Sequence, residues 1–442
     1  MKAELRAPVD VQIELTQACN QACRHCYNFW RFSKKKRDSI KSLSELELKH
    51  IVAELTRNNV FSATITGGEP FLQKKALFTL VQMLEKAGIR VSINTNFSLV
   101  EKKDIIELCN NSQVSVLVSL LSANPDEHAR LAGISRDLYF RVVDNISLAL
   151  HHKIPLSLNM VLLRENLHGI RDVARLAKNL GVHTFCATKA LPNNQFQSND
   201  YLLSSEEVIW SLLELIDIER AFDLPVEVLG CYPKCLLVGT EAYKRFFHRV
   251  CVAGKTTATI GADGKVRPCP HAEISYGNIL TEPLSDIWKK MSGWRKGEFV
   301  PEKCRNCTIL DWCTGSCRFN SLLSGLENMD IHASPDNLKS FSTQQIIPVV
   351  SGEESLVPSK VFVSPNVEFR DESFGSLLFR RDRWAIILVN KSAADFLKNK
   401  RNGKCISFDS FLKKSGAVSG EERQSVKNLY VRLFKKGMLV SP

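Results

Sequence analysis

The chain has 442 residues, 44% hydrophobic and 24% charged, with a net charge of +12, which predicts a globular protein of about three domains at roughly 150 residues each. No run of about 18 apolar residues is present and the start, MKAELRAPVDVQIEL, is acidic where a signal peptide needs an apolar core, so neither a transmembrane helix nor secretion is expected. Fourteen cysteines in such a chain argue against a disulfide framework and for metal in a reducing, cytoplasmic setting.

Residues 11–15 (VQIEL) read as a short strand. It runs into CNQACRHC (19–26), which holds Cys19, Cys23 and Cys26, with no further cysteine before Cys109. The basic run KKKR at 34–37 reads as a solvated loop before a helix whose start is marked by Ser42 and Glu45. That helix is expected over 43–58. A strand at 61–66 (FSATIT) ends in Gly67-Gly68-Glu69-Pro70, followed by a helix near 73–88 and a strand at 90–95. Further strands are expected at 114–120, 155–163 and 183–188, with helical stretches between them. Six β/α units in a row predict a parallel sheet with helices outside and a site at the carboxyl ends of the strands. Both the cysteine loop and the glycine pair fall on that rim.

A zinc ribbon or an ordinary iron–sulfur cluster takes four protein ligands. Three thiolates on a four-iron cubane leave one iron open to substrate or cofactor, as a catalytic zinc keeps one position open. Cys-x3-Cys-x2-Cys after the first strand of a β/α barrel resembles the radical SAM enzymes. In that family the methionine part of S-adenosylmethionine (SAM) chelates the open iron, and an electron cleaves a C–S bond to release a 5′-deoxyadenosyl radical. Tyr27 after the last cysteine also fits. Gly67-Gly68-Glu69-Pro70 matches the family's GGEP turn, whose carbonyls and carboxylate accept bonds from the methionine ammonium; its glycines allow close backbone approach to the ligand. The resemblance places Ser119 and Asn159 at the cofactor's carboxylate and ribose, and further contacts near Asn96. Ordinary strand-end polarity is the competing reading of Ser119 and Asn159. Cys186, near the end of the sixth strand, is a candidate hydrogen donor to a peptide radical; a packed small hydrophobe is the bland alternative.

After residue 230 the β/α rhythm stops. Cys251, Gly264-x4-Cys269 and Cys304-x2-Cys307-x5-Cys313-x3-Cys317 follow. Read alone, the pairs suit zinc or iron–sulfur. Together with GNIL (277–280) and CTGSCR (313–318), they resemble the SPASM extension of radical SAM proteins, with one or two auxiliary [4Fe–4S] clusters. The resemblance implies a first auxiliary cluster on Cys251, Cys269, Cys317 and one upstream cysteine, Cys235 in preference to Cys231. It implies a second on Cys304, Cys307 and Cys313. The family's last cysteine has no counterpart between 317 and Cys405, so the second cluster is expected to keep an open iron or to use Asp330, His332 or Cys231. Pro270 and His271 after Cys269 stand where sulfatase-maturing relatives carry a basic aspartate, which argues against that activity.

Residues 326–358 turn to Ser, Asn, Asp, Gln and Pro and read as a linker. Three short strands (367–372, 375–381, 384–390) and three helices (391–400, 407–414, 420–436) make a small winged-helix α+β pattern. FRDESFGSLLF and VNKSAADFL resemble PqqD-like domains, which hold a leader peptide by strand addition. A DNA-binding winged helix is the alternative that the positive charge permits.

The expected architecture is α/β. A partial (β/α)6 TIM-type barrel (8–222) precedes a cysteine-rich SPASM iron–sulfur domain (223–325), the linker (326–358) and the winged-helix domain (359–442). The expected function is a radical SAM enzyme that modifies a ribosomally made precursor peptide, a C–C or C–S crosslink fitting best. The expected partners are that peptide, bound through its leader, and a reductant such as flavodoxin or ferredoxin; neither membrane nor nucleic acid is expected. A SPASM enzyme for a small molecule or cofactor precursor is the alternative.

Overall fold

The structure, a computed structural model, describes residues 4–28, 40–111, 114–192, 200–323, 329–341, 358, 360–380, 385–415 and 417–441. The basic run at 34–37 and residues 342–357 of the expected linker lie outside them.

Residues 8–348 form one unit. Its sheet contains β1 (Asp10–Thr16), β2 (Ser62–Gly67), β3 (Arg90–Thr95), β4 (Val114–Ser119), β5 (Leu156–Leu162), β6 (Thr184–Lys189) and β7 (Val226–Glu227). These seven are parallel neighbours in chain order. The helices α1 (Glu45–Arg57), α2 (Lys74–Lys86), α3 (Lys102–Cys109), α4 (Pro125–Ala132), α5 (Arg136–His151), α6 (Ile170–Leu180) and α7 (Ser205–Phe222) alternate with them. Two strands from the cysteine-rich region extend the sheet. β8 (Thr257–Ile260) lies parallel to β1 and β9 (Val266–Arg267) antiparallel to β8. The sequence reading missed both, because a four-residue and a two-residue strand carry too little periodicity to be seen. The row ends at β7 on one side and β9 on the other, a partial barrel as expected.

Helix α1 begins two residues later than the sequence marks suggest. Ser44, not Ser42, is the N-cap, and it closes a capping box with Glu47. Ser42 instead bonds Thr16 Oγ1 at 2.7 Å and so ties the chain to the end of β1.

The strands alternate cleanly, and the alternation positions the site. Val11, Ile13 and Leu15 in β1, and Leu156, Leu158 and Met160 in β5, join the helices in one hydrophobic core. Successive strand residues point to opposite faces. The other face therefore carries Gln12, Glu14, Thr64, Thr66, Ser92 and Asn159. A closed TIM barrel packs its interior with branched apolar side chains. Here the inner face is polar, which suits a binding cavity rather than a core.

The remaining described residues of the cysteine-rich region hold short helices of four to seven residues. Residues 329–341, expected as linker, pack there instead. Ser334 N donates to Cys235 Sγ at 3.3 Å and Asn337 Nδ2 to Cys235 O at 3.2 Å. The composition misled because this segment makes its bonds through polar side chains rather than an apolar stripe.

A second unit gathers residues 4–7 with the described residues after 349. It holds β10 (Phe362–Val363), β11 (Val367–Glu372), β12 (Gly375–Arg380), β13 (Ala385–Asn390) and β14 (Leu439–Val440), with helices at Lys391–Asn399, Phe408–Ser415 and Gly420–Lys435. β11, β12 and β13 form an antiparallel sheet in that order, and β10 pairs with β14. Val367, Leu378 and Ile387 pack with Leu397, Phe411 and Leu433 of the three helices. The side chain of Arg370 is fully buried; it bonds Glu372 at 2.7 Å and Ala7 O at 2.9 Å.

Candidate active site and thiol groups

The loop after β1 is held in place by backbone. Ala18 N donates to Thr16 Oγ1 at 3.1 Å, Ala22 N to Ala132 O at 2.9 Å, and Cys26 N to Cys23 O at 3.2 Å. Cys19, Cys23 and Cys26 are each partly exposed and in no disulfide. Gln21 sits between them: its N–H meets Cys19 Sγ at 3.4 Å, and its Oε1 accepts from the Cys23 thiol at 3.4 Å. All the donor atoms are sulfur and still reachable, which fits a three-thiolate iron–sulfur site.

The GGEP turn packs directly on this loop. Gly68 N donates to Thr16 O at 2.7 Å, and Glu69 N to Ala18 O at 2.8 Å. A Cβ on Gly68 would stand 1.8 Å from Ala18 O, and one on Gly67 2.4 Å from Thr16 O. The glycines are thus needed for close approach to the cysteine loop itself, a different reason from the ligand approach that the sequence suggested. Gly68→Ala should displace the loop, because backbone cannot yield as a flexible side chain does. If the 19–26 loop holds the iron that its three thiols fit, the expected result is loss of that iron. It is measured by iron analysis against wild type in a background lacking the other cysteine groups' contribution; wild-type iron would disprove it.

Glu69 is buried, and burial pushes its carboxyl up to about 7 against three opposing donors. Its Oε1 accepts from Phe71 N (3.0 Å) and Thr95 Oγ1 (2.7 Å), and its Oε2 from Asn96 N (2.8 Å). A carboxylate has about four acceptor positions, so one is left for a ligand donor. Pro70 opens the short helical turn that Glu69 caps, where its missing N–H costs nothing. Asn96 Nδ2 donates to Asn20 Oδ1 at 2.9 Å, and Asn20 Nδ2 to Ser98 Oγ at 2.9 Å. Its side chain therefore braces the cysteine loop. Buried Phe97, next in line, has φ of 61°, backbone strain of the kind that persists where surroundings over-determine a site.

Tyr27 is tied to both halves of the unit. Its phenol bonds Thr66, and burial raises its pKa. Its ring centroid lies 4.8 Å from that of His271. Buried Glu14 and Arg267 form an ion pair linking β1 to β9, and Arg267 Nη1 donates to Ala272 O at 3.1 Å. Removing one partner of such a pair typically costs about 3–5 kcal/mol, so this contact fixes the Cys269 segment against β1. Asn28, Glu14 and Arg267 escaped the sequence reading. Asn28 Nδ2 donates to Gly67 O at 2.7 Å; lone polar residues flanking a motif carry no spacing signal.

Ser119 and Asn159 are register partners on adjacent strands, and Asn159 pairs in turn with Cys186. Thr188 Oγ1 donates to Asn159 Oδ1 at 3.0 Å. Phe185 and Ala187 belong to the helix-side core, so Cys186 lies on the polar face. It is buried, and burial pushes its thiol up to about 12, which keeps the proton on sulfur at neutral pH.

The other eight clustered cysteines separate into two groups. The Cys231 thiol bonds Cys251 and Cys317, and Cys269 feels the charge of both. Cys235, Cys304, Cys307 and Cys313 line one cavity. The sequence reading placed Cys235 with Cys251, Cys269 and Cys317; the structure places Cys231 there. Spacing could not decide between two cysteines four residues apart, whereas side-chain direction does. Among the described residues no three His, Cys, Asp or Glu side chains surround a point as one bound ion needs. The Asp330 carboxylate accepts from Ser316 Oγ (2.8 Å), Asn320 Nδ2 (2.7 Å) and His332 N (3.1 Å), and His332 Nδ1 lies 3.4 Å from Ser205 Oγ.

Residues 13–177 match the radical SAM superfamily and residues 251–308 the SPASM iron-sulfur cluster-binding domain. The mycofactocin maturase MftC of Mycobacterium tuberculosis is 27% identical over 73% of this chain and 81% of its own length. An AdoMet-dependent heme synthase of Methanosarcina barkeri is 25% identical over 72% of this chain and 93% of its own. Streptococcus suis SuiB, solved with its precursor peptide SuiA, superposes with a TM-score of 0.61 at 18% identity, over 74% of this chain and 76% of that one. No described helix is long and apolar enough to cross a membrane. The polar-faced partial barrel, the three-thiol loop and the two sequence matches lead to one conclusion: residues 13–177 are a radical SAM domain and residues 251–308 an SPASM domain, and the protein is a radical SAM enzyme.

Proposed function

We propose that this enzyme modifies a ribosomally made precursor peptide, with Cys19, Cys23 and Cys26 holding the cluster that binds SAM and residues 359–442 holding the peptide's leader. The observation that carries the reading is a three-thiol loop above a polar barrel face, in one chain with two further thiol groups and a separate sheet-and-helix unit. When bound, SAM on the first cluster supplies a 5′-deoxyadenosyl radical, and the auxiliary clusters supply a sink for the electron released as a bond forms. The chain's own residues bind and orient. The GGEP carbonyls and the remaining acceptor position of Glu69 receive the methionine ammonium, while Ser119 and Asn159 take the carboxylate and ribose. An electron sink suits an oxidative crosslink through a C–C or C–S bond.

The C-terminal unit supports capture of an extended leader. β11 and β13 are the two edges of its sheet. Beside β11, Glu372 accepts from Arg6 N at 2.8 Å and Arg370 donates to Ala7 O, so residues 6 and 7 already occupy that side. Among the described residues β13 is the edge left for an added strand, and its Leu388 is 44% exposed. Backbone pairing gives affinity there, and side-chain pockets give selectivity. The net charge of +12 suits an acidic electron carrier such as flavodoxin or ferredoxin. Fourteen cysteines, none of them in a disulfide, suit a reducing cytoplasm.

The test is anaerobic incubation of reduced enzyme with SAM and the precursor peptides encoded by neighbouring short reading frames. A SAM-dependent mass change in the core segment is expected. Turnover of a small molecule with every such peptide untouched would favour the second reading, a cofactor-precursor enzyme, which the heme synthase relative supports.

Cys186 has a proposed role too: a buried, protonated thiol on the polar face can pass a hydrogen atom to a carbon radical, its S–H bond breaking as the C–H bond forms and leaving a thiyl radical that one electron from an auxiliary cluster and one proton return to thiol. Cys186→Ala should lower product yield or change stereochemistry while 5′-deoxyadenosine still forms. Unchanged yield and stereochemistry, measured by chiral amino-acid analysis, would exclude the donor role and leave a packed small side chain.

A further inference from the structure

We infer that Cys235 is the fourth ligand of the second auxiliary cluster, with Cys304, Cys307 and Cys313, and that Cys231 completes the first, with Cys251, Cys269 and Cys317. This rests on reading residues 231–317 as an iron–sulfur region, and it assigns a ligand that comes from upstream of the other three.

The geometry carries the partition. Cys235 lines the same cavity as Cys304, Cys307 and Cys313, together with Pro233 and Ile309. Lys234 N donates to Cys313 Sγ at 3.4 Å, so the backbone just before Cys235 already touches that group. Ser334 N donates to Cys235 Sγ at 3.3 Å, which fixes the direction of that thiol. Cys231 contacts the opposite set, Cys251 and Cys317.

Two short spans cross between the groups. Cys231 and Cys235 are four residues apart and so are Cys313 and Cys317. Residues four apart on a right-handed helix share a face, which would send both thiols to one cluster. The chain avoids this differently in each span. Tyr232 and Pro233 precede the helix that begins at Lys234, and Pro233 is extended, with φ −63° and ψ 125°. Thr314, Gly315 and Ser316 are all left-handed, with φ of 57°, 80° and 57°. Successive non-glycine residues rarely adopt that conformation. Here it turns Cys317 away from Cys313.

The partition has a chemical consequence. With Cys235 as the fourth ligand the cluster needs neither Asp330, whose carboxylate accepts from Ser316, Asn320 and the His332 backbone, nor His332, whose Nδ1 lies beside Ser205 Oγ. Four thiolates leave no open iron, so the second cluster holds no substrate and passes electrons only.

The test uses full-length protein with Cys19, Cys23 and Cys26 replaced by Ala, reconstituted anaerobically, so that only auxiliary iron remains. Adding Cys235→Ala with Cys304→Ala should halve iron and sulfide and leave the surviving cluster's Mössbauer and EPR spectra unchanged. Cys231→Ala with Cys251→Ala should halve them too, and leave the complementary spectra. The corresponding Ser pairs, which nearly keep the buried volume, should give the same halves and guard against collapse of the fold. If Cys235 with Cys251 is instead the pair that removes one cluster and spares the other intact, the partition is overturned. A parent protein without auxiliary iron overturns the iron–sulfur reading, and the partition with it.

Discussion

Replacing Cys19, Cys23 and Cys26 together with alanine is expected to abolish 5′-deoxyadenosine formation under reducing anaerobic conditions, while the protein stays brown. The three thiols sit on one loop after β1, and the loop's backbone is fixed by Thr16, Ala132 and the GGEP turn. The eight thiols of the two auxiliary groups lie between residues 231 and 317, so their iron should survive. Liquid chromatography of SAM cleavage products gives the first readout, and iron and sulfide analysis the second. Undiminished cleavage would sink the assignment of the loop. Lost cleavage together with lost colour would mean that the substitutions harmed the whole fold rather than one centre.

The second large effect concerns the C-terminal unit. Removing it should leave uncoupled SAM cleavage intact and greatly reduce modification of full-length precursor. A docked leader raises the local concentration of the core to the millimolar range, and losing that advantage typically costs about 100-fold or more. The structure alters how the deletion should be made. Residues 4–7 belong with this unit, through Arg370 and Glu372, so the cleaner variant starts at Pro8 and stops before Val349. Proline placed within the bound leader should weaken binding to the complete enzyme, because it removes a backbone donor. Equal rates for complete and truncated enzyme, measured with full-length precursor, would move preference to the small-molecule reading.

The barrel was legible because its signals are long and local. Six strands with apolar residues on alternate positions, divided by helices, leave little choice of topology. The three-thiol loop and GGEP are contiguous and were equally plain. What escaped was set by tertiary direction. Nothing in the spacing tells whether Cys231 or Cys235 turns toward Cys251; the chain's course after Val228 decides it. Nor could the Glu14–Arg267 pair be seen, since its halves lie far apart in sequence and neither has a motif. The capping box of α1 was misplaced by two residues because Ser42 and Ser44 each have a glutamate three residues on. The structure uses Ser42 to close the β1 end instead.

The stretch from Cys231 to Phe341 has few long elements to hold it. Its described helices run four to seven residues and its strands two to four, too short to be stable alone. Eight thiolates bridged by iron would act there as cross-links do in small secreted domains. A closure approaching 100 residues, such as Cys231 to Cys317, removes roughly 4.7 kcal/mol of chain entropy from the unfolded state on the loop-closure model. The two short crossing spans also make the staples interdependent, since loosening either frees a segment of the other. Oxygen, by dissolving iron, would then expose this part of the chain to proteases long before the barrel melts.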